Sequence, residues 1–314
     1  MNEIMESIQA SLKKWMRDKE SFQDVYQQMR KDIMSDPDIQ ELLKENPQLD
    51  DQAVDRQLIK LYEYQSQNKD CKNCKKGGGC SKNILPGYKP RIDVDGVNIH
   101  LSYEKCQHMI LREKQQERSE RIKSLSMPKE ILNASMADIH GSDPARHEAI
   151  VAISQFLNAT KEKLPEKGLY FHGPFGVGKT YFLGAIANEL ADRKIDSMLI
   201  YMPEFVREMN ASIKNDSVNE KVEEFKQISV LMIDDIGAES ISAWFRDEIL
   251  GSILQYRMME GLPTFFSSNY SLDQLEKHLA TTTRGDIERL KAGRIIERIN
   301  QVSDPVEVNG ESQR

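Results

Sequence analysis

The sequence predicts an α/β protein in which a parallel sheet covered by helices follows a small helical N-terminal domain. From about residue 128, short apolar runs alternate with helical stretches, which is the pattern of a parallel sheet with helices on both faces. One of these runs leads directly into the glycine-rich octapeptide GPFGVGKT at 173–180. The first 66 residues instead carry apolar side chains at helical spacings of three and four.

Length and composition set limits on the class of protein. A chain of 314 residues is long enough for one large domain or two modest ones. The net charge of −7 argues against a generally basic nucleic-acid coat protein, although a local basic groove remains compatible with it. The sequence has no apolar run near the ~20 residues that span a bilayer, and its first residues lack the apolar segment of a signal peptide. We therefore expect a soluble cytoplasmic protein.

The N-terminal domain is assigned to residues 1–106 and is predicted to contain three short amphipathic helices. The second starts at Asp36-Pro37, because proline is tolerated in the first turn of a helix, and the third starts near Asp50. Their apolar stripes are formed by Ile4, Ile8, Leu12 and Trp15, by Ile39, Leu42 and Leu43, and by Val54, Leu58, Leu61 and Tyr62. A bundle of this size needs further stabilisation to fold alone.

The four cysteines of the chain indicate a zinc site within the N-terminal domain. In a reducing cytosol a disulfide framework is not expected, so local clustering of this rare residue favours a metal. The first two stand in the CxxC spacing that is one half of a common zinc pattern. The predicted tetrahedral ligands are Cys71, Cys74, Cys80 and Cys106. His100 and His108 are alternatives for the fourth ligand, and four reduced thiols are the alternative without metal.

A hairpin and a charged linker are predicted next. KPRIDVDGVNIHLSY contains two extended runs, and its Asp95-Gly96 suits a two-residue primed turn. Residues 107–127 interleave basic and acidic side chains, which favours a solvated linker or helix over a basic track for DNA. The domain that contains the sheet is assigned to residues 128–314. Its predicted strands are 168–172, 197–201, 229–233, 263–267 and 305–308.

The octapeptide lies between a buried strand and a helix, which is the context that a phosphate-binding loop requires. Its glycines let backbone N–H groups converge on phosphate oxygens without interference from Cβ. Lys179 can reach the β- and γ-phosphates, and the hydroxyl of Thr180 can ligate Mg²⁺. The predicted nucleotide-binding residues are Gly173, Pro174, Phe175, Gly176, Val177, Gly178, Lys179 and Thr180. The alternative is a coincidental glycine turn.

Polar residues follow two further strands of the predicted sheet. VLMIDDIG delivers Asp234 and Asp235 to the carboxyl edge, where ligands bind in open α/β sheets. Asp234 is predicted to hold Mg²⁺, and Asp235 to orient or deprotonate the attacking water. Asn269 follows the strand PTFFS and is predicted to contact the γ-phosphate or that water. Ordinary solvated turns are the alternative at both places.

Two arginines near the end of the sequence are candidates for catalysis in trans. In LKAGRIIERIN, Arg294 and Arg298 are four residues apart and share one helix face. An arginine inserted into a neighbouring copy's site stabilises the charge of phosphoryl transfer and can raise the rate ~10³–10⁵-fold. We predict this role for Arg298, with Arg294 in support. A surface arginine pair without function is the alternative.

These motifs together resemble a known family. GPFGVGKT, VLMIDDIG, FFSSN and GRIIER resemble the AAA+ ATPases of the helicase-loader and initiator clade, over roughly residues 128–310. YMPEFVREM, RDEILGSILQYR and LPTFFSSNYS, with the CxxC region, resemble the DnaI-type primosomal helicase loaders of Gram-positive bacteria.

This resemblance implies an AAA+ domain that hydrolyses ATP to ADP and phosphate with Mg²⁺ and binds single-stranded DNA. It also implies an N-terminal domain that docks on the hexameric replicative helicase, with other primosome proteins as partners. The loader would place the helicase on DNA during initiation or restart of replication. The chain is expected to be a monomer alone and oligomeric on the helicase.

Three departures from the common AAA+ pattern refine this expectation. Asp235 stands where many relatives carry a glutamate, so we expect slow, partner-stimulated hydrolysis. Only sixteen residues follow Arg298, which leaves no room for a full C-terminal lid and favours assembly on a partner. Residues 203–226 insert helical sequence that lines a DNA channel in related initiators. Candidate DNA contacts there are Phe205, Arg207 and Lys214, with ordinary core and surface positions as the alternative.

Other functions are compatible with a phosphate-binding loop. A transposition helper ATPase of the IstB type would share the AAA+ core but not the cysteine-bearing N-terminal domain. A small-molecule kinase would need a lid or acceptor pocket, for which the sequence gives no sign. A scaffold that binds ATP without hydrolysing it remains compatible with an aspartate at position 235.

Overall fold

The computed structural model describes residues 22–69, 83–139, 144–213, 218–239, 242–281 and 288–310. The chain divides into two units, Met1–Gln115 and Gln116–Arg314. Several predicted features lie outside the described residues: the helix of Ile4, Ile8, Leu12 and Trp15, three of the four cysteines (Cys71, Cys74 and Cys80), and Lys214. None of the helices in the described ranges combines the length and apolarity that a bilayer span requires.

The first unit combines short helices with one hairpin. Its elements are α1 (Phe22–Met34), α2 (Pro37–Glu45), α3 (Asp51–Arg56), α4 (Leu58–Ser66), β1 (Tyr88–Asp95) and β2 (Asn98–Lys105). Asp36 caps α2 by accepting hydrogen bonds from the backbone N–H groups of Asp38 and Ile39, as the Asp-Pro signal predicts. The predicted third helix is instead two helices, α3 and α4, that meet at Gln57. The hairpin is confirmed, with Asp95 paired to Asn98.

The described core of the first unit is small. It is formed by Ile33, Ile39, Leu49, Ala53, Val54, Leu58, Leu61 and Ile99. Hydrogen bonds join the first turn of α4 and its N-cap to the hairpin. Gln57 Nε2 donates to the Val97 carbonyl, Gln57 Oε1 accepts from the Ile99 N–H, and Lys60 Nζ donates to the Ile99 carbonyl. The hairpin therefore contributes Ile99 to the core of the helices and is hydrogen-bonded to α4.

The stretch predicted as a charged linker or helix is mostly helical. It consists of helix α5 (Gln107–Arg121) and strand β3 (Ile122–Leu125), and the second unit begins inside it, at Gln116. Strand β3 pairs in parallel with residues 197–200, so the sheet starts before the predicted boundary at 128. Local patterns missed this strand because it is four residues long and its pairing partner lies about seventy-five residues further along the chain.

The second unit contains a six-stranded sheet in the order β3-β5-β6-β7-β4-β8, and every pairing in it is parallel. The five later strands are β4 (Gly168–His172), β5 (Ser197–Tyr201), β6 (Val230–Asp234), β7 (Thr264–Ser268) and β8 (Ser303–Glu307). All five predicted strands are present, within two residues at their starts. The parallel α/β prediction is confirmed.

Helices cover both faces of this sheet. They are α6 (Lys129–Leu132), α7 (His147–Ala159), α8 (Lys179–Asp192), α9 (Met202–Ser212), α10 (Val218–Gln227), α11 (Gly251–Met259), α12 (Leu272–Ala280) and α13 (Arg289–Val302). A π-helical turn over Phe245–Leu250 precedes α11. Successive strand residues point to opposite faces, so Phe265 belongs to one apolar cluster and Phe266 to the other.

The proposed DNA contact Phe205 is wrong. Its side chain is fully buried. The centroid of its ring lies 4.5 Å from the ring centroid of Phe225 and 5.4 Å from that of Phe245. Helices α9 and α10 therefore use this aromatic residue to pack on the sheet. Arg207 of the same insertion is exposed and pairs with Glu204 at 2.8 Å.

A buried arginine anchors the amino ends of β6 and β7. The guanidinium of Arg257 donates to five backbone carbonyls and to Thr264 Oγ1, at 2.7–3.4 Å. The carbonyls belong to Phe225, Lys226, Ile228, Ser229 and Pro263. Burial lowers the pKa of Arg257 to about 9, which leaves the group protonated at neutral pH. One side chain thus supplies hydrogen bonds to the buried backbone carbonyls of the segments that enter two adjacent strands.

Arg257→Leu is expected to destabilise the second unit by more than about 3 kcal/mol, because several buried carbonyls lose their donor at once. Urea denaturation followed by circular dichroism measures this change. Arg207→Leu, at an exposed position, is the matched control and should change stability by less than about 0.5 kcal/mol. Equal effects of the two substitutions would contradict the anchoring role.

Candidate functional site

The candidate site lies at the carboxyl edge of the sheet, where β4, β7 and β6 end side by side. The phosphate loop follows β4, Asp234 is the last residue of β6, and Asn269 follows β7. These segments are far apart in sequence but adjacent in the sheet, because β7 pairs with both β4 and β6. The sheet order thus brings the predicted polar residues to one place.

The phosphate loop starts in a crowded position. Gly173 has φ +149°, and a Cβ there would lie 2.0 Å from the Val308 carbonyl oxygen. The Val308 N–H in turn donates to the His172 carbonyl at 2.7 Å. The segment after β8 therefore holds the first turn of the loop, and only glycine fits there. Sequence reasoning predicted the glycine but not the neighbour that requires it.

Lys179 connects the loop to the next strand. Its side chain is 7% exposed, and Nζ donates to the carbonyls of Gly173 and Pro174 at 2.8 and 2.7 Å. Nζ also donates to Asn269 Oδ1 at 2.9 Å. The ammonium is therefore held at the mouth of the loop, as the motif predicts.

Thr180 and Asp234 form the predicted cation-binding pair. Thr180 Oγ1 donates to Asp234 Oδ1 at 2.8 Å, and Ser267 Oγ donates to the same oxygen at 2.5 Å. Burial raises the pKa of Asp234, while the hydrogen bonds from Ser267 and Thr180 act in the opposite direction. A hydroxyl and a carboxylate at this separation are oxygen donors of the kind that Mg²⁺ prefers, so the residues fit that ion.

Asp235 and Asn269 also come together. Asn269 Nδ2 donates to Asp235 Oδ1 at 3.1 Å, so one amide bridges Asp235 and Lys179. Asp235 has φ +58°, which is an unfavourable backbone conformation for a residue with a side chain. Its N–H donates to Ser267 Oγ at 2.9 Å, which fixes the peptide that carries it. The predicted base and the predicted sensor residue are thus direct neighbours.

A cavity of about 660 Å³ opens over these residues and continues beyond them. It is lined by Lys179, Thr180, Asp234, Asp235, Ser267 and Asn269, by Phe175, Gly176 and Gly178 of the phosphate loop, and by residues that the sequence did not identify. Those residues are Ser126, Met127, Pro128, Glu130, Ile131, Asp138, Ile139, Arg146, Tyr181, Phe182 and Tyr201. In the sequence, the apolar residues Met127 and Ile131 stand out after the charged stretch. They do not show which part of the chain they pack against.

Close packing on α8 holds segment 126–139, which forms one wall of the cavity. A Cβ on Gly184 would lie 2.2 Å from the Ile131 carbonyl oxygen, so α6 approaches α8 as closely as glycine allows. Asn188 Nδ2 donates to the carbonyls of Leu132 and Ala134, both at 3.0 Å. On the loop side, Arg146 Nη2 donates to the Val177 carbonyl at 2.5 Å. Segment 126–139 therefore packs on α8, the helix that begins at the end of the phosphate loop.

Glu239 is a further acidic residue near the site that sequence reasoning missed. It is 7% exposed, and both carboxylate oxygens accept from the Gly237 N–H, at 3.2 and 3.3 Å. Burial raises the pKa of Glu239 to about 7, with a smaller contribution from the negative charge of Asp235. The motif DDIGAE contained this glutamate, but periodicity could not show that it is buried.

The two predicted arginines lie on α13, away from the cavity of their own chain. Arg298 is half-buried, and its Nη1 donates to the Gly251 carbonyl at 2.9 Å, whereas Arg294 is exposed. Neither belongs to the described residues that line the cavity. A role in a neighbouring copy's site stays a prediction.

Comparison with protein families finds two matches along the chain. Residues 5–103 match the family of the primosomal protein DnaI N-terminus, and residues 141–283 match the bacterial DnaA ATPase domain. The replicative helicase loader DnaI of Bacillus subtilis (strain 168) is 42% identical over 294 residues, which cover 93% of this chain and 94% of that protein.

Two solved structures extend the comparison. A crystal structure of DnaI is 46% identical with a TM-score of 0.55, and the match covers 63% of this chain and 100% of that one. The structure of a candidate primosome component from Streptococcus pyogenes serotype M3 is 36% identical with a TM-score of 0.52, covering 64% and 100%. The phosphate loop described above lies within the part of the chain that matches an ATPase domain.

Glu239→Gln tests the burial of this carboxyl. The pKa is raised from 4.5 to about 7, so the folded chain favours the protonated form. Protonation of Glu239 therefore stabilises the folded state. This contribution is complete below about pH 4.5 and is lost as the pH rises through about 7. Glutamine keeps an oxygen for the Gly237 N–H but does not titrate. The variant should therefore gain unfolding free energy relative to the wild type, by on the order of 2 kcal/mol, between about pH 5 and 8.

Urea denaturation at several pH values across this window measures the difference. Glu297→Gln, at an exposed position on α13, controls for the loss of one surface carboxylate. A difference between Glu239→Gln and the wild type that stays constant with pH would show that Glu239 does not titrate there.

Proposed function

Because the chain belongs to the DnaI family of replicative helicase loaders, we propose that it binds the hexameric replicative helicase and places it on single-stranded DNA. The observation that carries this proposal is the 42% identity to the Bacillus subtilis loader, which extends over 93% of the chain and so includes both units. The loader acts with other primosome proteins during initiation or restart of DNA replication. The match of residues 5–103 to a primosomal N-terminus supports this function over that of a transposition helper.

ATP acts in this proposal as a timing signal for the loader. ATP binding favours a state that grips single-stranded DNA, and hydrolysis to ADP and phosphate releases the loader. Lys179 contacts the β- and γ-phosphates, and the backbone N–H groups of the loop surround them. Thr180 and Asp234 would hold Mg²⁺, which supplies charge neutralisation at the phosphate oxygens.

Asp235 orients the attacking water and accepts its proton. Asn269 holds the side chains of Asp235 and Lys179 in position by hydrogen-bonding to both. Support for this assignment comes from the two hydrogen bonds of the Asn269 amide, at 2.9 and 3.1 Å. An aspartate reaches one methylene less far than a glutamate, so hydrolysis is slow in the isolated chain. The helicase accelerates it by assembling several copies, whose Arg298, supported by Arg294, enters the neighbouring site.

The part of the cavity between segment 126–139 and α8 holds the adenine base. This assignment is supported by its apolar lining, to which Met127, Ile131 and Phe182 contribute, and by its continuity with the phosphate end. Segment 126–139 and α8 form the walls between which the base is held. Nucleotide binding therefore joins elements from both sides of the phosphate loop.

The first unit docks on the helicase, and a zinc ion held by its four cysteines stabilises it. Cys106 is buried and directly follows β2, and the other three cysteines lie outside the described residues. The proposal rests on the CxxC spacing and on the small core that the described helices enclose. His100 and His108 are both exposed and remain the alternatives to a fourth cysteine.

Native mass spectrometry of the full chain with its host's replicative helicase tests the loader function. With ATP present, we expect a defined complex that contains several copies of the chain per helicase hexamer. Lys179→Ala removes the ammonium at the phosphate loop and should abolish the effect of ATP on this complex. Lys277→Ala, at an exposed position on α12, should leave it unchanged. If two folded proteins form no complex, the proposal is wrong.

Elemental analysis of the purified full chain should find about one zinc per chain. Cys74→Ser should lose the metal and lower the melting temperature, because ligation energy contributes to folding. His108→Ala should retain the zinc if the ligands are four cysteines. Loss of zinc from His108→Ala together with its retention in Cys106→Ser would identify a histidine as the fourth ligand. A wild-type chain without zinc would refute the site.

A further inference from the structure

The loop that carries Asp235 is held from two sides. We call residues 235–239 the aspartate loop. Its first half is attached to β7: the Ile236 N–H donates to the Ser267 carbonyl at 2.9 Å, and Ser268 Oγ donates to the Ile236 carbonyl at 2.6 Å. These contacts, with the hydrogen bond from the Asp235 N–H to Ser267 Oγ, determine where the loop leaves the sheet.

The second half of the loop is held by residues that follow Asn269. Gly237 has φ +98° and faces the Tyr270 ring so closely that a Cβ there would lie 2.7 Å from a ring carbon. Two residues further on, the Glu239 carbonyl lies 2.9 Å from His278 Nε2 on α12. A carbonyl oxygen only accepts hydrogen bonds, so Nε2 carries the proton and donates it.

Tyr270 and His278 are also in contact with each other. Their rings are stacked, with centroids 5.4 Å apart and planes inclined by 20°. The backbone of Tyr270 is itself fixed, because its carbonyl accepts from Tyr170 Oη at 2.8 Å and its N–H donates to Ser268 Oγ at 3.1 Å. Ser271 then starts α12 with a capping box, which sets the direction in which His278 projects.

We propose that Tyr270 and His278 form a clamp that positions Asp235 for ATP hydrolysis by holding the second half of the aspartate loop. The proposal rests on the ATPase function proposed above and assigns to it two residues that do not contact the reacting atoms. Tyr270 follows Asn269 directly and His278 lies eight residues further on. The residue that hydrogen-bonds Asp235 and the residues that hold its loop therefore belong to one continuous segment, 269–278.

The backbone of Asp235 explains why a clamp is needed. Aspartate enters the positive-φ region more readily than most residues with a side chain, but the conformation still costs free energy and is held by its surroundings. If the loop is released at Glu239, Asp235 can relax to a more favourable φ and turn its carboxylate away from Asn269. Misplacement of a reacting group by about 1 Å costs on the order of 10²-fold in rate, even when the substrate still binds.

The location of the clamp separates this role from simple core packing. The Tyr270 side chain is 37% exposed, and His278 is half-buried at the surface of α12. The neighbouring core positions on this helix are instead occupied by Leu275 and Leu279, which are almost fully buried. Replacing the clamp residues should therefore spare the core and affect the loop.

The test is ATP hydrolysis by full-length variants, assayed with the host helicase, together with binding of a fluorescent N-methylanthraniloyl-ATP. His278→Ala should lower kcat about 10- to 100-fold and change the nucleotide Kd by less than about two-fold. His278→Gln offers an amide N–H to the Glu239 carbonyl and should recover most of kcat. Lys277→Ala, exposed on the same helix, is the control and should match the wild type.

Tyr270→Leu provides a second test if His278→Ala does not fold. It removes the ring but keeps the backbone groups that bind Tyr170 and Ser268, and it should lower kcat without weakening nucleotide binding. A kcat for folded His278→Ala or Tyr270→Leu equal to that of Lys277→Ala would overturn the clamp. So would a glutamine variant as slow as the alanine variant.

Asp235→Asn, measured in parallel, separates failure of the clamp from failure of the proposed function. If Asp235→Asn is inactive while His278→Ala is fully active, hydrolysis uses Asp235 and only the clamp is wrong. If Asp235→Asn hydrolyses ATP at the wild-type rate, the catalytic role of Asp235 is itself wrong and the clamp has nothing to position.

Discussion

The pairing of β7 with both β4 and β6 is the constraint on which the site depends. In a parallel sheet all strands end at the same edge, so three neighbouring strands deliver the residues that follow them to one place. Phe266 shows this directly, since it is registered with Tyr170 on one side and with Ile233 on the other. The phosphate loop, Asp234 and Asn269 are close together because these two ladders are in register.

Polar side chains of β7 also determine the path of the chain that follows β6. Ser267 lies in a buried strand, and its hydroxyl both donates to Asp234 and accepts from the Asp235 N–H. Ser268 similarly donates to the Ile236 carbonyl. Buried polar groups need partners, so these serines are stable only when the segment after β6 adopts its observed path. The run FFSSN therefore combines apolar packing with the hydrogen bonds that shape the neighbouring loop.

The opposite edge of the same strands is held by a different interaction. Arg257 gathers the carbonyls of the segments that enter β6 and β7, so these strands are fixed at both ends. The two ends serve different purposes. At the amino edge one buried charged group donates to the backbone carbonyls that precede both strands. At the carboxyl edge the amide of Asn269 joins Lys179 to Asp235 beside the phosphate loop.

The sequence by itself determined the parallel α/β class, five strands, the phosphate loop and the polar residues that end β6 and β7, because each depends on neighbours within a few residues. Only the tertiary structure revealed strand β3, the burial of Phe205, the cavity wall formed by segment 126–139, the environment of Glu239, and the contact of His278 with the aspartate loop. Each of these depends on contacts between residues far apart along the chain, such as Ile122 with Ser197 or Glu239 with His278. Local periodicity shows which face of an element is apolar, but only the packed sheet decides which distant residue that face meets.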